Sequence, residues 1–100
     1  MLRISIQELP DRVTMKLEGK ISGPWTLELG RAWQNLENSL GSRGLSVDLS
    51  GLDFVDEGGA ELLREIHQKT RADFIADSPL AKYFAERAMS RFNGNGKRGA

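Results

Sequence analysis

Residues 47–60 read Val47-Asp48-Leu49-Ser50-Gly51-Leu52-Asp53-Phe54-Val55-Asp56-Glu57-Gly58-Gly59-Ala60, and their period changes along the way. Leu45-Ser46-Val47-Asp48-Leu49 alternates apolar with polar residues, the pattern of a half-buried strand. Ser50-Gly51 predicts a turn. Asp56 then suits a helix N-cap, with Glu57 near the positive end of the helix dipole. Leu62, Leu63 and Ile66 recur on one side of the helix that follows. This strand-to-helix turn is the candidate site. Backbone N–H groups at a helix start attract anions, and Gly58-Gly59 would admit a partner's backbone. A capped helix on a tight turn explains the same residues without any ligand.

Working outward, Leu2, Ile4 and Ile6 alternate with Arg3, Ser5 and Gln7. Pro10-Asp11 supplies a turn, and Val13, Met15 and Leu17 alternate in their own run, so the two form an antiparallel hairpin. Gly19-Lys20-Ile21-Ser22-Gly23-Pro24 leads out of it. From Pro24 to Leu40 the period becomes helical, with Leu29, Ala32, Trp33, Leu36 and Leu40 on one face. Pro24 fits a first helical turn and Gly41 a C-cap, while Gly30 weakens the helix by about 1 kcal/mol unless close packing requires it. Downstream, Ala72-Asp73-Phe74-Ile75-Ala76 reads as a short strand. Asp77-Ser78-Pro79 starts a last helix with Ala81, Phe84, Ala85 and Ala88 inward. The order is hairpin, helix, strand, helix, strand, helix. It implies a single-domain α/β fold, a mixed four-stranded sheet covered by helices.

Composition excludes several classes. One hundred residues make one domain, and 39% hydrophobic with 28% charged residues suits a globular chain. Fourteen basic and fourteen acidic residues balance, unlike the basic excess of most nucleic-acid binders, so no nucleic-acid partner is expected. Cysteine is absent, which removes disulfides, a thiol nucleophile and thiolate metal sites. His67 is the single histidine and cannot begin an ordinary zinc site. Asp53, Asp56 and Glu57 could weakly hold a hard cation, but capping accounts for them better, and neither metal nor cofactor is expected. No run approaches the roughly 20 apolar residues that span a bilayer, and no signal peptide is recognisable. A cytoplasmic location without direct membrane insertion is expected.

The segment Val47 to Asp56 resembles the signature strand and loop of STAS domains, the family of sulfate transporter tails and bacterial anti-sigma factor antagonists. In that family an aspartate is followed by one variable residue, then serine or threonine, then glycine, at a helix start. Leu17-Glu18-Gly19-Lys20-Ile21 is similar to the end of the family's early strand, and Pro24 to Leu40 to its first helix. Asp77-Ser78-Pro79 with Leu80 to Ala88 is similar to its last strand–helix junction. The likeness runs in order over roughly residues 2 to 90. It implies a STAS-like domain over 1–90, with 91–100 left as a flexible C-terminal tail holding Gly94-Asn95-Gly96-Lys97.

Within that resemblance Asp56 and Gly59 keep the family's aspartate and glycine. Gly58 stands where the phosphoacceptor hydroxyl would be, and Ser22 where antagonists usually carry an aspartate. A switch kinase acting at the usual position is chemically excluded. Glu57 has one permanent charge against the −1.5 to −2 of a phosphate, about 100° round the helix from its neighbour, so it is a poor imitation of phosphoserine. Helix-dipole stabilisation is its better role. Ser22 as a replacement phosphoacceptor is a weaker idea still.

The resemblance implies a non-enzymatic protein-interaction module of a bacterial protein, binding an anti-sigma-type regulatory kinase or a transporter subunit as a transport accessory. Its partner-binding residues would be Lys20, Ser22, Gly23, Asp56, Glu57, Gly58, Gly59 and Glu61, on a monomer or weak homodimer. One of Trp25 and Trp33 should be core and the other an exposed anchor. No nucleophile, base and orienting group can be assembled around His67. The alternative is a small-ligand or nucleotide-binding sensor that holds a phosphate at the Gly58-Gly59 helix N-terminus.

Overall fold

The computed structural model describes residues 1–89, so the expected 91–100 tail lies outside the described residues. The elements are β1 (Leu2–Glu8), β2 (Arg12–Ile21), α1 (Pro24–Leu40), β3 (Gly44–Val55), α2 (Glu57–Thr70), β4 (Asp73–Ile75) and α3 (Pro79–Met89). They build one mixed sheet in the order β1-β2-β3-β4, with β1 antiparallel to β2 and both later pairs parallel. The expected hairpin-then-αβαβα order holds.

The parallel strands are added in one direction, so right-handed crossovers put α1 and α2 on the same face of the sheet. α3 packs on α2 and on β3. Beneath the helices Val13, Met15, Leu17, Val47 and Leu49 are wholly buried, against Leu29, Trp33, Leu63 and Ile66 from above. Burying a side chain of this kind is worth about 1.5–3 kcal/mol, which is why the alternation of β2 and β3 dictates the layer. The other face carries Arg3, Ser5, Gln7 and Lys16 in solvent. Helical cover is therefore one-sided.

β3 is longer than its alternation suggested, and Ser50-Gly51 lies inside it rather than in a turn. Pairing with β2 passes from Lys16↔Asp48 to Glu18↔Gly51, and from Gly19↔Leu52 to Lys20↔Phe54. Each step gives β3 one extra residue, a β-bulge, and each bulge shifts the inward parity by one. The buried positions accordingly run Leu45, Val47, Leu49, then Leu52, then Val55. Asp48 Oδ1 accepts the Ser50 amide at 2.9 Å and fixes the first bulge. The broken alternation was real, but its cause was a bulged strand.

The helix ends follow local chemistry. Gly41, at φ 64°, closes α1. α2 ends instead on Arg71, a left-handed non-glycine residue at φ 57° whose amide donates to the His67 carbonyl at 2.7 Å. Ser78 Oγ accepts the Ala81 amide at 3.1 Å and caps α3. Among the described residues no helix is long and apolar enough to cross a membrane.

Candidate partner-binding site

Three chain segments meet at Asp56. Its amide donates to the Ile21 carbonyl at 3.0 Å, joining the end of β3 to the end of β2. Its Oδ1 accepts the Gly59 amide at 2.7 Å, the N-cap bond of α2. Its Oδ2 accepts the Gly23 amide at 3.2 Å, at the entrance of α1. Gly23 caps α1 at φ 56°, a left-handed conformation that side chains with a Cβ resist. One carboxylate thus holds two helix entrances in register.

The two glycines that follow Asp56 have different roles. Gly59 is buried, and a Cβ there would lie 2.7 Å from Ile21 Cγ2 and 3.0 Å from Val55 Cγ1. Its smallness lets α2 sit down on β2 and β3, so the expected contact between Gly59 and a partner is corrected to a packing role. Gly58 is exposed, and a Cβ there would find nothing nearer than Asp56 Oδ1 at 3.7 Å and Thr26 Cγ2 at 3.9 Å. Gly58 presents bare backbone to solvent.

Glu57 forms an ion pair and hydrogen bond with Arg87 of α3. The Arg87 guanidinium also lies 5.8 Å from the Tyr83 ring centroid, within cation–π reach. Glu57 thereby ties α2 to α3, and its charge has a counterion in place. Ser22 is half-buried, and its carbonyl accepts the Trp25 amide at 3.1 Å in the first turn of α1.

Between α1 and α2 runs an open groove of about 440 Å³. Thr26, Leu27 and Gly30 line it from α1, and Gly58, Glu61 and Leu62 from α2. Leu27 is 61% exposed, an apolar side chain with no apolar cover. The Thr26 hydroxyl is buried without a hydrogen-bond partner. Glu65 continues the acidic α2 rim one turn beyond Glu61.

The eight residues singled out in the sequence are therefore divided. Gly23, Asp56, Glu57, Gly58 and Glu61 cluster at the two helix entrances and the groove. Lys20 belongs elsewhere, in a separate cleft with Met1, Arg3, Glu18 and Asp53. Trp33 is core at 1% exposure, and Trp25 is half-buried against that core, so neither tryptophan stands free in solvent, and the exposed apolar side chain of the groove is Leu27. Thr26, Leu27, Gly30 and Leu62 were missed. Leu27 had a usable signal, because it falls outside the stripe of Leu29, Trp33, Leu36 and Leu40.

His67 is half-buried near the end of α2. Its ring stacks on Phe74 at 5.5 Å between centroids, and Nδ1 lies 2.9 Å from the Ala72 carbonyl oxygen. These contacts fix the turn from α2 into β4. Among the described residues no group of three or more His, Cys, Asp or Glu is placed to hold a metal.

By sequence, neither a protein-family model nor a curated protein matches the chain. Solved structures do share its fold. The anti-sigma factor antagonist SpoIIAA in its unphosphorylated form superposes with a TM-score of 0.59 at 17% identity, over 84% of this chain and 83% of that one. An uncharacterized DUF3478-family protein with a SpoIIAA-like fold from Shewanella loihica PV-4 gives 0.56 at 18% identity, over 99% of this chain and 84% of that one. Mglu gives 0.60 at 22% identity over 75% of this chain, which spans only 19% of Mglu. The fold is STAS-like, of the SpoIIAA type.

Proposed function

We propose that this chain is a non-enzymatic STAS-type interaction module that docks a partner protein on the α1–α2 groove and the Asp56 turn. Gly58 carries the reading. It is exposed, with room for a side chain, at the head of an open groove that also displays Leu27. By the resemblance it occupies the phosphoacceptor position, and glycine offers no hydroxyl to phosphorylate. The partner is bound without the usual serine switch. SpoIIAA is an anti-sigma factor antagonist of the same fold, which favours an anti-sigma-type kinase as partner, with a transporter subunit as the other candidate. A cytoplasmic, bacterial setting accompanies either.

The nucleotide-sensor alternative meets a specific obstacle. The α2 N-terminus already holds its own carboxylate, because Asp56 occupies the Gly59 amide where a phosphate oxygen would bind. Isothermal titration with ATP and GTP tests this: no heat and no thermal shift are expected, and saturable binding would overturn the protein-docking account of this turn. For a partner in hand, Leu27→Asp is expected to weaken binding, since a buried carboxylate would replace an apolar anchor. Unchanged affinity would place the interface elsewhere.

A further inference from the structure

The outer edge of β1 has the hydrogen-bond parity, charge pattern and length to pair with itself. In the β1–β2 hairpin the Leu9 amide donates to the Arg12 carbonyl, and the Lys20 amide to the Met1 carbonyl, each at 2.8 Å. The register between these ends is unbroken, Leu2↔Gly19 through Glu8↔Val13. In an antiparallel ladder hydrogen-bonded pairs alternate with non-bonded ones. Arg3, Ser5 and Gln7 therefore direct their amides and carbonyls to β2, while Leu2, Ile4, Ile6 and Glu8 direct theirs outward. Among the described residues no strand pairs with that edge. Edges are commonly blunted by proline, lysine, a bulge or a short strand. Leu2–Glu8 has seven regular residues with no proline, lysine or bulge, and its two charges, Arg3 and Glu8, are of opposite sign.

We propose that β1 is the interface of a symmetric homodimer, in which two copies pair antiparallel about a two-fold axis at Ser5 and form one continuous eight-stranded sheet. Outward-facing residues must pair with outward-facing residues. The register of greatest overlap sets Leu2 against Glu8, Ile4 against Ile6, Arg3 against Gln7, and Ser5 against its own copy. No like charges face each other in it, and every outward amide and carbonyl of β1 finds a partner. Ile6 is 44% exposed and Ile4 half-buried at the margin of the helix-covered face. Pairing sets these isoleucines side by side across the axis, as a closed two-fold interface requires. This surface is distinct from the α1–α2 groove, so dimerisation leaves partner docking open.

The absence of cysteine makes the register testable in the whole chain. Ser5 and Gln7 are both exposed on the uncovered sheet face. A non-hydrogen-bonded antiparallel pair holds Cβ atoms roughly 4.5–5.5 Å apart, near the ~3.5–4.5 Å usual for a disulfide. Under mild oxidation Ser5→Cys is expected to cross-link as a dimer about tenfold faster or more than Gln7→Cys, because only position 5 meets its own copy. Sedimentation of the parent chain over a concentration series to about 1 mM is expected to approach twice the chain mass. Ile6→Lys should shift it back toward the monomer, with an unchanged thermal melt at dilutions where the parent is itself monomeric. A monomer throughout, or equal cross-linking at positions 5 and 7, would overturn the proposal.

Discussion

The Asp56 carboxylate accepts the Gly23 amide at 3.2 Å across a sequence separation of 33 residues, while its other oxygen caps α2. Hydrogen bonds to a charged acceptor are stronger than neutral ones, and here two orphan helix-entry amides depend on one side chain. Asp56→Ala is expected to lower unfolding free energy by about 1–2 kcal/mol in urea titrations. Asp56→Asn keeps one acceptor oxygen and should lose less. Equal losses would mean that the acceptor oxygen retained by asparagine contributes nothing.

The neighbouring glycines should respond oppositely. Gly59→Ala places a methyl 2.7 Å from Ile21 Cγ2, so overpacking is expected to destabilise by about 1–3 kcal/mol. Gly58→Ser places a hydroxyl in open space and removes a glycine from a helical turn. Its stability should stay within about 0.5 kcal/mol of the parent or rise. Parallel thermal melts of the two variants check the contrast.

Gly30 is a removable weakness. A Cβ there meets only Leu62 Cδ2, at 3.9 Å, which is ordinary contact. Gly30→Ala should raise stability by about 0.5–1 kcal/mol, read as a melting temperature several degrees higher. A loss would show that α1 and α2 need a closer approach than these distances imply.

The Glu57–Arg87 pair is exposed on the Glu57 side, so its contribution should be small. A double-mutant cycle with Glu57→Gln and Arg87→Gln is expected to give a coupling of about 0.2–1 kcal/mol. Raising salt to about 1 M should erase most of it. A larger, salt-insensitive coupling would make this contact a main lock between α2 and α3.

The layer order was legible in residues that announce themselves locally. Val13, Met15 and Leu17 alternate, Leu29 to Leu40 repeat helically, and Asp56 and Ser78 each precede a helix as capping residues. Ser50-Gly51 misled because a bulge and a turn interrupt alternation in the same way, and only pairing with β2 separates them. The end of α2 was hidden by Arg71, which adopts a glycine-like conformation. In the site, Asp56 and Gly58 could be read from the motif. The burial of Gly59, the Arg87 partner of Glu57 and the separation of Lys20 from the groove depend on long-range packing.

Docking of a protein on the groove headed by Gly58 is the proposed role of this chain. The most direct measurement is quantitative capture from native extract on three immobilised forms: the parent chain, Gly58→Arg, and Lys16→Glu on the uncovered sheet face. Proteins retained by the parent and by Lys16→Glu are expected to fall about tenfold or more on Gly58→Arg, with its fold verified by circular dichroism. Equal retention on parent and Gly58→Arg would contradict the claim.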